Sequence, residues 1–94
     1  MNVGLLVLDC FIPESQSLKQ KRSVLSSTIE RLKRRYNVSV CEFEHQDKWQ
    51  HARLAVVLVN TDWGHAQGTL NRILEYLERD RRISVLDSQV ERLL

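Results

Sequence analysis

Apolar residues follow one another along residues 3–12 and again along residues 52–60, so that both faces of an extended chain carry them. Strands that are apolar on both faces are typical of the middle of a sheet. Residues 38–45 alternate instead and keep one polar side, which predicts an edge strand. Residues 83–93 predict a last strand whose apolar parity shifts, and a β-bulge near Asp87 would reconcile its two halves.

Two helices are predicted between these strands. The first begins near residue 18, where Ser17 and Gln20 have the spacing of a capping box. Its apolar stripe follows a period of 3.6 residues and is interrupted only by Arg22, at the rim. The second helix begins after Asp62, a favourable N-cap residue, and its apolar stripe is uninterrupted.

This order of elements, β-α-β-β-α-β, is that of the ferredoxin-like fold. Right-handed crossovers then give the sheet order 4-1-3-2, which places the two strands that are apolar on both faces in the middle. We therefore predict one α+β domain over residues 1–94, with a four-stranded antiparallel sheet and two helices on one face.

Two helices cover only one face of such a sheet, and the other face would expose apolar side chains of the central strands. The pattern leaves open which parity faces out, so Val56 and Val57 are alternative interface residues. Uncovered apolar faces of this kind usually mark interfaces, and we expect a homodimer. Trp49, in the connection between strands 2 and 3, is predicted to be an interface anchor or a lid over the sheet end.

Composition is ordinary for a soluble globular domain, with 43% hydrophobic and 28% charged residues, and it excludes disordered and collagen-like chains. Cys10 and Cys41 show no spacing of a disulfide framework or zinc site. The predicted sheet order separates them by about 9.5 Å, beyond disulfide reach. Reduced thiols and the lack of a signal peptide or membrane span near the N-terminus predict a cytoplasmic protein.

Charge is distributed unevenly along the chain. Residues 18–36 hold seven cations against one acid, a balance of +6, which leaves −4 for the rest of a chain with net charge +2. This asymmetry indicates an anionic partner such as RNA. The candidate anion-binding residues are Lys19, Lys21, Arg22, Arg31, Lys33, Arg34 and Arg35.

These cations lie at the two ends of the first helix. Lys19, Lys21 and Arg22 occupy the first turn, where the helix dipole favours anions, so a bound phosphate would explain them. The alternative is that Glu14 or an acid from another element pairs with them. Because both side chains are expected to be exposed, replacing Lys19 and Lys21 with Glu should leave the fold intact. The cations of the last turns are favourable there without a ligand, and a solvated basic helix is their alternative.

No catalytic motif stands out, since the chain lacks a Ser/His/Asp set, a phosphate-binding glycine loop and a carboxylate pair. His45, Asp47 and His51 belong to one connection, but their spacing matches no standard metal site. We therefore expect no enzyme activity, no metal and no cofactor. No aromatic residue lies in an RNP1-like string, so RNA contacts would use phosphates, and no sequence reading of DNA is expected.

Three segments are similar to the YlxP-like family of small bacterial proteins, a domain of unknown function. They are SLKQKR at 17–22, NVSV at 37–40 followed by Glu42, and QDKWQHA at 46–52. The resemblance extends from the first strand to the last and implies a ferredoxin-like fold. Genes of this family often lie near those for translation initiation and ribosome maturation, which implies a role related to RNA.

From the basic helix and this resemblance we expect a non-enzymatic RNA- or ribosome-associated factor. The alternative is a protein-interaction or ligand-sensing module that acts through the apolar open face of the sheet. The two differ in salt dependence, because phosphate binding weakens steeply with salt and apolar association does not.

Overall fold

Four strands and two helices occur along the chain in the predicted order. The computed structural model describes residues 1–94 and contains β1 (Asn2–Phe11), α1 (Leu18–Arg35), β2 (Ser39–Glu44), β3 (His51–Asn60), α2 (Trp63–Glu78) and β4 (Ser84–Arg92). The sheet order is β2-β3-β1-β4, and all neighbouring strands are antiparallel. The predicted ferredoxin-like α+β arrangement is confirmed.

The central strands β1 and β3 bury one parity of their side chains beneath the helices. Leu6, Leu8, Leu54 and Val56 are fully buried there. Successive strand residues point to opposite faces, so Val57 lies on the side away from the helices, where it is half-buried. Of the two interface alternatives, Val56 therefore belongs to the core and Val57 to the uncovered face.

We call this uncovered face the open face. Its central residues come from β1 and β3: Val3, Leu5, Val7, Asp9, Phe11, His51, Arg53, Ala55, Val57 and Val59. Gly4 lies on the opposite, helix-facing side, where a Cβ atom would come within 2.9 Å of Leu70. Glycine at this position therefore allows α2 to pack closely on the helix-facing side of β1.

Strand β4 contains the predicted bulge. Asp9 pairs with Asp87 but Cys10 pairs with Val85, so Leu86 is an extra residue opposite β1. The bulge lets Val85 and Val90 both pack against the core although an odd number of positions separates them.

Side-chain caps begin both helices, as predicted. The Ser17 Oγ accepts a hydrogen bond from the Gln20 N–H at 3.1 Å, and an Asp62 oxygen accepts one from the His65 N–H at 3.0 Å. The Gln20 side chain reaches one residue further back than a capping box requires, because it accepts from the Gln16 N–H at 2.6 Å. Neither helix combines the length and apolar character needed to cross a membrane.

Lys21 corrects the prediction for the first turn of α1. Its side chain is 0% exposed, and its ammonium donates to the Glu42 carboxylate at 2.9 Å. It also donates to the backbone carbonyls of His45 and His51, at 2.7 Å and 3.1 Å. These three acceptors use all three donors of the ammonium, so Lys21 is not available to RNA. The alternative that an acid from another element pairs with a first-turn cation is the one realised.

The Lys21 contact also accounts for the shape of the β2–β3 connection. His45 has a φ of 64°, which non-glycine residues adopt rarely and only where their surroundings hold them. Its carbonyl accepts from both Lys21 and the Lys48 N–H, at 3.0 Å for the latter. The turn is therefore bent toward the buried ammonium.

Replacing Lys21 with Met should lower the free energy of unfolding by about 3–5 kcal/mol, because the Glu42 carboxylate loses its partner in a mostly buried position. Lys21→Glu should be at least as damaging, since it sets two carboxylates together. Lys19→Met is the matched control at an exposed position of the same turn and should change stability by less than about 0.5 kcal/mol. Urea titration followed by circular dichroism measures both. Equal stability of the Lys21→Met and Lys19→Met variants would contradict the burial of Lys21.

The two cysteines are free, as predicted, and lie on opposite faces of the sheet. Cys10 is fully buried beneath the helices, whereas Cys41 on β2 is exposed, with β3 between their strands. Burial, together with the charge of Asp9, raises the pKa of the Cys10 thiol to about 12. Because the thiolate is the reactive form, Cys10 should be inert in the folded protein.

A maleimide at neutral pH should therefore modify Cys41 alone in the native chain, and both thiols after unfolding in guanidinium chloride. Mass spectrometry of the labelled chain distinguishes the two states. The Cys41→Ser variant is the control and should stay unlabelled while folded. Rapid labelling of this variant in its folded state would show that Cys10 is accessible.

Candidate nucleic-acid interface

Six of the seven candidate cations of α1 have exposed side chains. They are Lys19, Arg22, Arg31, Lys33, Arg34 and Arg35. Near the start of the helix, Lys19 and Arg22 take part in none of the four ion pairs of the structure, and the first turn contains no acid. They remain candidates for phosphate contact.

Near the end of the helix, Lys33 and Arg34 differ from their neighbours Arg31 and Arg35. Arg34 forms an ion pair with Glu30 at 3.6 Å along the helix surface, between side chains that are 76% and 69% exposed. Exposed pairs of this spacing contribute little to stability. Lys33 is exposed and unpaired. Arg31 and Arg35 line a cleft with residues that follow α2, and Lys33 and Arg34 do not line that cleft.

The structure gathers four arginines around one cleft of about 430 Å³, which we call the arginine cleft. Its lining residues are Arg31, Arg35, Tyr76, Arg79, Asp80 and Arg81. Two of these arginines come from the end of α1 and two from the residues that follow α2. None of the four lies within 4.0 Å of a carboxylate oxygen. The cleft therefore concentrates four arginine charges, none of which is in an ion pair within the protein.

Tyr76 forms an aromatic wall of the arginine cleft. The guanidinium carbon of Arg35 lies 4.8 Å from the centroid of the Tyr76 ring, at cation–π distance. The contact orients Arg35, whose guanidinium takes part in none of the ion pairs of the structure. The guanidinium N–H groups of Arg35 are therefore available to donate to an anion bound in the cleft.

Asp80 is the acidic residue of the arginine cleft, and its carboxylate is already engaged by Arg82. The Arg82 Nη2 and Nε donate to its two oxygens at 2.8 Å and 3.1 Å, and the Arg82 backbone N–H donates at 2.9 Å. These bonds, with the charges of Arg82 and Arg31, hold the pKa of Asp80 below its ordinary value. Asp80 is thus neutralised by a residue outside the cleft and fixes the turn that carries Arg79 and Arg81.

The sequence pattern points to Arg31 and Arg35 but not to Arg79 and Arg81. The missed signal is the run Arg79-Asp80-Arg81-Arg82, which holds three cations in four residues directly after a helix. In the linear sequence this run appears as a helix end. Its proximity to α1 arises from the fold, and a 3.5 Å contact between Arg82 and Thr28 of α1 marks that proximity.

The β2–β3 connection does not assemble a metal-binding cluster. The rings of His45 and His51 lie with centroids 6.1 Å apart, and His51 packs edge-on against Phe11 at 5.4 Å. No three His, Cys, Asp or Glu side chains converge in this structure. Trp49 is 57% exposed and lies outside the core cluster, so it is not a lid packed over the sheet end. Its role as an interface anchor stays a prediction.

Comparison with known proteins supplies the family of this chain. Residues 3–90 match the family model DUF503, described as a protein of unknown function. The chain is also 30% identical over 76 residues to the uncharacterized protein YlxP of Bacillus subtilis (strain 168), which covers 81% of this chain and 83% of that protein. The resemblance carried by the three sequence segments is thereby confirmed, and the chain belongs to the DUF503 family.

Proposed function

We propose that this protein is a non-enzymatic RNA-associated factor that binds RNA phosphates, on the ribosome or another structured RNA, through the arginine cleft. The observation that carries the proposal is the convergence of four arginines from two elements, without a carboxylate partner. A guanidinium group can bind a phosphate with two parallel hydrogen bonds, whereas a lysine ammonium acts as a point charge. A cleft of arginines is therefore better suited to phosphate than a cleft of lysines.

The contacts proposed are with the RNA backbone and not with its bases. Sheets that read single-stranded RNA stack bases on aromatic side chains of their central strands. Here the middle of the open face carries aliphatic side chains instead, from Leu5, Val7 and Val57. Phe11, at the end of β1, packs against His51. Backbone contacts read the shape of a duplex and carry little sequence information.

The proposal moves the phosphate site from the start of α1 to its end. The sequence alone favours the first turn, where three cations oppose the helix dipole. The structure removes Lys21 from that group and brings Arg79 and Arg81 to Arg31 and Arg35 instead. Because α1 has 18 residues it extends about 27 Å, so a backbone that starts in the cleft can follow the helix toward Arg22.

Removing two cleft arginines, in the double variant Arg79→Ala/Arg81→Ala, should weaken binding to a short fluorescent RNA duplex and to purified ribosomal particles. Each lost charge-assisted contact contributes about 1.5–3 kcal/mol, so a loss of at least about tenfold per arginine is expected. The slope of log K against log salt should also fall in magnitude by about 0.7–0.9 per phosphate contact. Fluorescence anisotropy over a salt series measures both quantities.

The double variant Lys33→Ala/Arg34→Ala is the matched control, because it removes the same charge from the exposed surface of α1 outside the cleft. It should weaken binding clearly less than the cleft variant does. Equal effects of the two variants would show a diffuse electrostatic contact and no arginine site. A parent protein that binds neither RNA duplex nor ribosomal particles at low salt would overturn the proposed function.

A further inference from the structure

The open face presents an apolar patch at the centre of the sheet. Val3, Leu5 and Val7 of β1 stand directly opposite Val59, Val57 and Ala55 of β3, respectively, so six aliphatic side chains form a continuous block. All are half-buried except Val59, which is 61% exposed. No element of this chain covers them.

The dimensions of the open face suit a dimer interface. The four strands are spaced by about 4.8 Å; β1, β3 and β4 have nine or ten residues and β2 has six, which gives a face of roughly 19 by 30 Å. Its accessible area exceeds this projection of about 600 Å², because side chains project from it. Stable protein interfaces bury about 800 Å² on each partner, which is of the same order as the area of this face.

Two charged residues at one end of the apolar patch, Asp9 and Arg53, each have a buried side-chain atom without a hydrogen-bond partner. Asp9 and Arg53 are cross-strand neighbours, yet no ion pair or hydrogen bond joins them. Asp9 is paired with Asp87 on the neighbouring strand β4. The Oδ1 atom of Asp9 is closed off from solvent without a hydrogen bond. Arg53 extends instead over Phe43 and pairs with Glu44 at 3.0 Å, while its Nε also lacks an acceptor. A polar atom that is closed off from water without a hydrogen bond is costly, so an external partner would stabilise this half-buried pair.

The position of the two-fold axis in a homodimer determines which residues of the two copies meet across the open face. When two identical sheets stack face to face, the two-fold axis lies between them and parallel to their planes. If that axis runs along the strands between β1 and β3, each β1 residue of one copy lies over the β3 residue with which it is paired in the sheet. Asp9 then meets Arg53 of the partner subunit, and Leu5 meets Val57 of the partner subunit. An axis across the strands would place charges over aliphatic side chains.

We infer that a second copy of this chain covers the open face, with the two-fold axis along the central strands and Asp9 paired with Arg53 between copies. Such an isologous interface is self-complementary, since aliphatic residues face aliphatic residues and an acid faces a base twice. The rim is polar, as Gln89 and Glu91 on β4 show, which is typical of protein interfaces. Asp87 and Glu44 meet at this rim, where water and salt screen like charges.

The first experiment tests the apolar patch. Val57→Asp should raise the dimer dissociation constant at least about 100-fold, because dimerisation would then bury an unpaired charge. Ser26→Asp on the exposed surface of α1 is the matched control and should leave the constant unchanged. Sedimentation equilibrium measures the association, and circular dichroism with a thermal melt verifies that each variant is folded. A parent protein that stays monomeric at about 100 µM, well above the range expected for an interface of this area, would overturn the inference.

The second experiment tests the exchanged pair and stays informative if Val57→Asp fails to fold. Chains with Asp9→Arg alone would set two arginines against each other across the interface, and chains with Arg53→Asp alone would set two acids together. Each variant by itself should therefore be mainly monomeric. An equimolar mixture should form a heterodimer, because both contacts are then between opposite charges, whereas the contacts within each chain are unchanged by mixing.

Native mass spectrometry of the mixture distinguishes the heterodimer from the two homodimers, since the variants differ in mass. A mixture as monomeric as its components, with both chains folded, would overturn the pairing of Asp9 with Arg53. Dimers of both single variants as tight as the parent dimer would do the same. The inference does not depend on the arginine cleft, because RNA anisotropy with Arg79→Ala/Arg81→Ala and sedimentation with Val57→Asp report on different surfaces.

Discussion

The buried ammonium of Lys21 is the contact on which the placement of β2 depends. An edge strand is held along one side only, by its hydrogen bonds to β3. Lys21 adds a second attachment, because it joins α1 to Glu42 of β2 and to the carbonyls that flank the β2–β3 connection. A charge withdrawn from water is tolerated only when all its donors find acceptors, so this arrangement specifies the position of α1 over the sheet narrowly.

The inward direction of Lys21 also reshapes the charge of the molecular surface. The first turn of α1 retains two exposed cations, Lys19 and Arg22, whereas the end of the helix gains two arginines from beyond α2. Asp80, the acid in that turn, forms its ion pair with Arg82 and not with one of the cleft arginines. Positive charge is thus concentrated where two elements meet, and a phosphate backbone can contact several guanidinium groups at once.

Central strands that are apolar on both faces give this two-layer domain two surfaces to bury. The helices cover one of them, and Gly4 allows the close approach that α2 requires. The remaining surface is aliphatic at its centre and carries Asp9 and Arg53 at one end. In the proposed two-fold dimer aliphatic residues face aliphatic residues and Asp9 faces Arg53, so the surface is complementary to itself. The arginine cleft lies at the helices and the open face lies behind the sheet, so association with RNA and with a second copy would use opposite sides of the molecule.

The element order, both N-caps, the sheet order and the bulge of β4 follow from the sequence alone, because they rest on local periodicity, capping chemistry and chain handedness. The family resemblance is likewise visible in three short segments. The tertiary structure alone decided that Val56 is core and Val57 is not, since strand parity has no sign until the helices pack on one face. It also decided that Lys21 turns inward and that Arg79 and Arg81 join Arg31 and Arg35. Such contacts depend on residues distant in the chain, and helical or strand periodicity carries no information about which distant residues will meet.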